Sequence, residues 1–137
     1  MRPRSKPGVR KAKQFTIRFT DRPGRLGEIA SALWQRSVNI QAFLADIHAG
    51  QGRVHLVVDN PAIARKVFAA HGWNVTEEEI AALTLPDKPG SLAAVASKLG
   101  RVGINIEYAY TGPAKAKGKV NTYLAISDLA GAFKALR

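Results

Sequence analysis

The sequence predicts an α+β protein: two tandem copies of a strand, helix, strand, strand, helix, strand sandwich, the second copy lacking its last strand. Three observations predict it. Residues 21–43, DRPGRLGEIASALWQRSVNIQAF, recur as residues 87–109, DKPGSLAAVASKLGRVGINIEYA, displaced by 66 positions with no gap. Each block runs from a turn into helical periodicity and then into an extended segment. Each is preceded by alternating apolar residues and followed by a further extended run and a capped helix.

The matched pairs fall where local physics is demanding: Asp21 with Asp87, Pro23 with Pro89, Gly24 with Gly90, Leu26 with Leu92, Leu33 with Leu99, Asn39 with Asn105 and Ile40 with Ile106. At 137 residues and 46% hydrophobic the chain holds one ordinary core or two small ones, and the repeat favours two. Units so small are marginal alone, so they are expected to share surface with each other or with a second copy of the protein.

Residues 1–14 carry Pro3, Pro7 and Gly8 and few apolar groups, and read as a disordered basic arm. Six of the 21 Lys and Arg residues of the chain lie in its first 13 positions, where there is no acid. Without them 15 basic groups face 10 acidic ones, so the folded part is only moderately basic. The arm is either a solvated tail or an electrostatic contact to nucleic acid or an acidic partner.

The first unit is placed at residues 15–76. Phe15, Ile17 and Phe19 alternate with Thr16, Arg18 and Thr20, the period of a half-buried strand. A turn follows, then a helix whose apolar face is Leu26, Ile29, Ala30 and Leu33, at i, i+3, i+4 and i+7. Val38 to about Asp46 forms a second strand; a turn at Gly50–Gly52 leads to a third, with Val54, Leu56 and Val58 on one face. Asn60 as cap, Pro61 at the first helical position and Gly72 beyond the end delimit a second helix. Trp73–Thr76 is a short fourth strand, and Glu77, Glu78 and Glu79 form a polar connector.

The second unit, residues 77–137, repeats this order. Ala81, Leu83 and Leu85 stand where Phe15, Ile17 and Phe19 stand, and Leu92, Val95, Ala96 and Leu99 form the helical face. A longer turn with Lys115, Lys117 and Lys119 reads as a solvated hairpin tip. The last helix, capped by Asp128, runs to the final Arg137, leaving no fourth strand. Right-handed crossovers in this order build a ferredoxin-like βαββαβ sandwich with both helices on one face. The missing strand leaves an open edge that another strand, from the partner unit or a second chain, is expected to cover.

The repeated turn also carries chemistry. The first N–H groups of a helix have no intrahelical acceptor, and the helix dipole favours an anion there. Gly24 and Gly90 let a ligand approach the backbone, Pro23 and Pro89 hold the turn, and Arg22, Arg25 and Lys88 add positive charge. Asp-x-Pro-Gly is equally a turn and helix start that needs no ligand. Its recurrence with Asn39 and Asn105 in the same phase favours a site, although each asparagine serves either a ligand or the neighbouring backbone.

DRPGRL and DKPGSL after a strand, with SVNIQ and GINIEYAY after the helix, resemble the ACT domain, a small regulatory module that binds amino acids and other small molecules. The resemblance covers residues 15–137 in two copies and is nearest to free-standing tandem ACT proteins. It implies a site at an interface between paired units. Backbone at Gly24, Arg25 and Leu26, or at Gly90, Ser91 and Leu92, would hold the carboxylate of an amino acid. Asp21 or Asp87 would shape the loop or meet the amino group, with Arg22 and Lys88 beside them. Asn39 or Asn105 would bond across the interface, each followed by Ile40 or Ile106; Gln41, Glu107 and Tyr108 would form the pocket wall. Arg25 against Ser91 and Gln41 against Glu107 would make the two sites unequal. The reading is a homodimer with no cofactor that modulates a separate partner; ACT units commonly regulate an enzyme fused to them, and since this chain has no room for one the regulated target, an enzyme or another protein, is left open.

Two other classes are weighed against this. An RNA-binding domain of the RRM type shares the element order, and a protein-interaction scaffold could use the same fold. RNA binding requires exposed aromatics on the first and third strands, yet Phe15 and Phe19 alternate toward the core and RVHLVV has none. For catalysis, the absence of cysteine excludes thiol chemistry, thiolate zinc sites and disulfides. His48, His55 and His71 lack helical metal spacing, although His48 and His55 could approach across a hairpin; they read as surface histidines. Trp34 and Trp73 read as packing residues. No apolar run approaches the roughly 20 residues of a membrane span, and no secretory signal follows the basic N-terminus, so the expected location is cytoplasmic.

Overall fold

The computed structural model describes residues 8–137. The elements are β1 (Val9–Thr20), α1 (Arg25–Gln35), β2 (Ile40–His48), β3 (Gln51–Val58), α2 (Pro61–His71), β4 (Asn74–Pro86), α3 (Ser91–Arg101), β5 (Ile106–Pro113), β6 (Lys119–Ile126) and α4 (Leu129–Leu136). They form two compact units. The first is Lys13–Glu78; the second joins the described residues up to Ala12 with Glu79–Arg137. The expected boundary at residues 76 and 77 thus lies close to the point where the chain passes from one unit to the other.

In the first unit the strands lie in the order β2-β3-β1-β4. β3 runs antiparallel to both neighbours, with Phe15 opposite Leu56, Ile17 opposite Val54 and Phe19 opposite Gly52. Residues directly opposite share a face of the sheet. Phe15, Ile17, Val54, Leu56 and Val58 therefore meet Ile29, Leu33, Val67 and Phe68 of α1 and α2 in one core. Asn60 caps α2 by accepting from the Ile63 amide at 3.1 Å, and Gly72 ends it in the left-handed region at φ 66°.

In the second unit the order is β5-β6-β4-β1. Leu83, Leu85 and Leu124 pack on Val95 and Leu99 of α3 and on Ala132 and Leu136 of α4. Asp128 caps α4 by accepting from the Gly131 amide at 2.9 Å. The place of the expected missing strand is taken by the first residues of β1, and Val9 packs on this core. The cover comes from the start of the same chain.

The basic arm was expected to extend to residue 14, but residues 9–14 are strand; residues 1–7 of the arm lie outside the described residues. The position of β1 beside β4, the strand that carries the acidic run, explains the difference. Lys11 reaches Glu79 at 3.9 Å in the second unit, and Lys13 reaches Glu77 at 3.7 Å in the first. Charges that read as solvated in sequence lie side by side on paired strands, where opposite signs favour the register. Glu77–Glu79, expected as a connector, belong to the 13-residue β4. Being exposed, these pairs contribute little stability.

β2 begins two residues later than expected, at Ile40 in place of Val38. The Asn39 amide donates to Asp59 Oδ1 at 2.9 Å and the Asp59 amide donates back to the Asn39 carbonyl at 3.1 Å. Asn105 and Ser127 repeat the exchange at 3.2 and 3.1 Å.

Candidate functional sites at the two helix starts

In the first unit a cavity of about 430 Å³ opens where β1 ends, α1 begins, β2 ends and β3 begins. Asp21, Arg22, Gly24, Arg25 and Leu26 line one side; Ala45, Asp46, Ile47, Gly52 and Arg53 line the other, with Phe19 at its floor. Gly52 makes room for that ring, because a Cβ there would stand 2.3 Å from Phe19 Cε2. Gly24 precedes α1 in the left-handed region at φ 89°, and a Cβ on it would meet nothing within 4 Å. Its conformation, not lack of space, calls for glycine.

The backbone of the turn leaves donors facing outward. The Glu28 amide donates to the Gly24 carbonyl at 3.0 Å, the first bond of α1, so the Leu26 and Gly27 amides precede any intrahelical acceptor. Arg25 lies 5.4 Å over the Phe19 ring and donates to Glu28 Oε2 at 3.4 Å, while its buried Nε has no hydrogen bond. Arg22 pairs with the other oxygen of Glu28 at 3.0 Å. Across the cavity Arg53 holds Asp46 in a two-pronged bond of 3.1 and 2.9 Å. That hydrogen bond keeps the Asp46 carboxyl below its ordinary pKa, against the opposing effect of burial. The site therefore offers cations, free amides and an apolar floor, a chemistry suited to a small carboxylate with an apolar part.

The second unit repeats the geometry with different side chains. Its cavity is about 150 Å³, lined by Leu85, Pro86, Asp87, Lys88, Ser91, Leu92, Thr111, Val120 and Thr122. Gly90 takes φ 92°, and the Ala94 amide donates to its carbonyl at 3.0 Å. Ser91, in place of Arg25, has a buried hydroxyl with no hydrogen bond. Gly112 lies opposite Asn121 where Asp46 lies opposite Arg53, so the ion pair is gone.

The expected residues divide cleanly. Those of the turns line the cavities, apart from Gly90. Asn39, Ile40 and Gln41, and Asn105, Ile106, Glu107 and Tyr108, line neither one. β2 and β1 both run antiparallel to β3 and hence parallel to each other, so the start of β2 lies at the far end of the sheet from the turn. The same topology brings the far end of β2 beside the helix start, which is why Ala45, Asp46, Ile47, Gly52 and Arg53, not singled out in the sequence, form the wall. The bonds to Asp59 and Ser127 are made by the main chain of each asparagine, not by its side-chain amide; Ile40 and Ile106 pack on the cores.

Two other expectations change. His55 is buried, 2.8 Å from the Thr16 hydroxyl and 3.4 Å from Gln14 Nε2, because its strand turns it to the face opposite the core. Burial pushes its pKa below the ordinary value, with Arg53 and Arg18 acting the same way and Asp46 opposing. Among the described residues no three His, Asp or Glu side chains are placed to hold a metal ion. Trp73 packs as expected against Phe68, but Trp34 is 76% exposed. Among the described residues no helix is long and apolar enough to cross a membrane.

An α+β fold with a cavity at a helix start in each unit is the class defined by this geometry. Residues 80–135 match the family model of the ACT domain. No curated protein sequence matches the chain. Among solved structures it is similar to protein BT0572 from Bacteroides thetaiotaomicron, with 26% identity, a TM-score of 0.83, and coverage of 93% of this chain and 88% of that one. It also shares its fold with the regulatory subunit of aspartate kinase from Thermus thermophilus in its ligand-free form, at 16% identity and a TM-score of 0.67, covering 96% and 95% of the two chains.

Proposed function

We propose that this chain is a non-enzymatic sensor, a tandem ACT protein that binds an amino acid or a related small carboxylate and, as a homodimer, modulates a separate partner such as an enzyme. The observation that carries the reading is the first-unit cavity, where an unbonded Arg25 Nε and the first amides of α1 border an apolar floor of Phe19. The ACT match at residues 80–135 supports the module class, and the Thermus neighbour is itself described as a regulatory subunit. A ligand that touches two paired units favours the arrangement that completes its site, by as much as its differential affinity. The larger and more cationic first cavity is the one we assign to the carboxylate.

Thermal unfolding against the twenty amino acids and a set of keto acids tests this. Ligand at 100 times its dissociation constant adds about 2.7 kcal/mol to the folded state, a plain shift in melting temperature. The expected result is one selective response, lost in Arg25→Ser and kept in Ser91→Ala. No response to any compound, or a response indifferent to Arg25, overturns the reading.

A further inference from the structure

Charge is divided unequally between the two units. The first, Lys13–Glu78, has eight basic and six acidic residues. Five of its bases, Lys13, Arg22, Arg25, Arg53 and Arg65, stand in ion pairs. The described residues of the second unit have ten bases against four acids, and among them Lys11 alone, with Glu79, is in an ion pair. The cations of the first unit are largely matched by its own acids; those of the second are not.

The fold gathers several of the unmatched cations at one end of the second unit. In the first unit β2 turns into β3 directly, from His48 to Gln51, with no Lys or Arg. In the second, β5 ends at Pro113 and β6 begins at Lys119, and the longer tip between them holds Lys115 and Lys117. Lys119 lies opposite Pro86 of β4, and the Asp87 amide donates to the Gly118 carbonyl at 2.9 Å, which sets Lys88 beside the tip. All four lysines are exposed. The hairpin is braced: Asn121 Nδ2 donates to the Pro113 carbonyl at 3.1 Å, and the Thr84 hydroxyl donates to Asn121 Oδ1 at 2.7 Å. Arg10 donates to the same Thr84 at 3.1 Å, so the segment that carries Arg2, Arg4 and Lys6 joins the sheet at this end. Glu107, at the start of β5, and Asp128, the cap of α4, lie at the other end, and among the described residues Asp87 is the only acid here.

We propose that this end of the second unit docks a nucleic-acid duplex, held through its phosphates by Lys88, Lys115, Lys117 and Lys119. The kind of partner follows from what accompanies the charge. Residues 86–91 and 111–119 contain no aromatic and no large aliphatic side chain. They offer nothing on which the bases of a single strand could stack. They have no apolar group to bury in a bilayer, and no anchor of the kind on which protein interfaces centre. What remains is a braced set of point charges. Lysine suits phosphate in that role, without the planar fork of arginine. A duplex presents one negative charge per roughly 1.7 Å of its axis, and such contacts carry no sequence information. This surface lies in the other unit from the cavity assigned to the carboxylate, so the proposal does not rest on that ligand.

Fluorescence anisotropy of a labelled mixed-sequence DNA duplex tests this on the full chain. Four phosphate contacts should cost roughly a hundredfold in affinity between about 50 and 200 mM salt, and more with each further cation engaged. Lys115→Gln, Lys117→Gln and Lys119→Gln together should reduce the slope of log affinity against log salt by about 2.7. Arginine at the same three positions should restore it. Removing the same charge from the first unit, by Arg18→Gln, Arg36→Gln and Lys66→Gln, should leave the slope within about one unit of the parent's. Should the triple glutamine variant change the circular dichroism, Lys115→Gln with Lys117→Gln alters only the turn outside both strands and should still reduce the slope by about 1.8. Absence of binding at the lowest salt, an equal loss of slope in the two triple variants, or tighter binding to phosphatidylserine vesicles or polyglutamate than to the duplex overturns the proposal.

Discussion

The two helix starts share a backbone and differ in what surrounds it. Gly24 and Gly90 take nearly the same left-handed conformation, φ 89° and 92°, and each following helix opens with the same amide-to-carbonyl bond of 3.0 Å. Around that frame one unit sets Phe19, Gly52, Arg25 and the Asp46–Arg53 pair, the other Leu85, Val120, Ser91 and the uncharged Gly112 opposite Asn121. The cavities differ accordingly, about 430 against 150 Å³. A turn motif can persist as architecture while the strands around it decide whether there is room and charge for a ligand.

Converting one unit toward the other sharpens this contrast. The largest effect is expected from Gly52→Val, which brings in the residue found at 120. Its side chain collides with the Phe19 ring, so the variant should lose about 1–3 kcal/mol in denaturant unfolding. Adding Phe19→Leu should recover most of that loss without restoring the larger cavity. An undiminished midpoint in Gly52→Val would show that the ring is free to move and that the glycine does not shape the floor.

Next are Gly24→Ala and Gly90→Ala. Each forces a Cβ into a left-handed conformation at a cost of about 1–2 kcal/mol, and the costs should agree, since neither Cβ meets a neighbour. Unequal midpoints would mean that the two turns are not the same frame.

The pH dependence should belong to the first unit. His55 lies opposite Leu44 on β2, while the corresponding pair in the second unit is Tyr123 opposite Tyr110, stacked at 5.4 Å. The folded pKa of His55 lies below its ordinary 6.5, so as pH falls from 6.5 the unfolded chain takes up a proton that the folded chain refuses. Stability from this group is full above pH 6.5 and declines below it, toward the folded pKa. Asp46 is also shifted down, so its contribution is present above 3.8 and is lost in stronger acid, through its folded pKa. Melting temperatures of the parent and His55→Gln between neutral and mildly acidic pH should converge; parallel curves would remove His55 as the cause.

The smallest effect on stability is expected from Arg25→Ser, under about 1 kcal/mol, because the partly exposed pair with Glu28 is worth little. Its value is in the comparison: nearly the parent's melting temperature without ligand, and a diminished response with it. A large loss without ligand would make Arg25 a structural residue.

The two asparagines show where a sequence reading stops. Their repetition was visible, and so was the alternative that they serve the backbone. Their distance from the turn depended on the sense of β2 relative to β1: a crossover through α1 makes the strands parallel and sends Asn39 to the end away from the turn. The carboxyl end of β2, with Asp46 and Ile47, carries no repeat signal, since the second unit has Gly112 and Pro113 there. Topology, not similarity between the copies, would have singled it out.

Local interactions were enough to specify the helices, their caps at Asn60 and Asp128, the glycine turns and the alternating core faces, because each depends on residues only a few positions apart. The tertiary structure alone decided that Val9–Ala12 closes the second unit, that the lysines of the supposed arm pair with Glu77 and Glu79, that His55 is buried, and that Trp34, Phe43 and Ile47 are exposed. Those outcomes depend on which distant strands become neighbours, and the free energy of a charge or an apolar ring is set by what lies across from it.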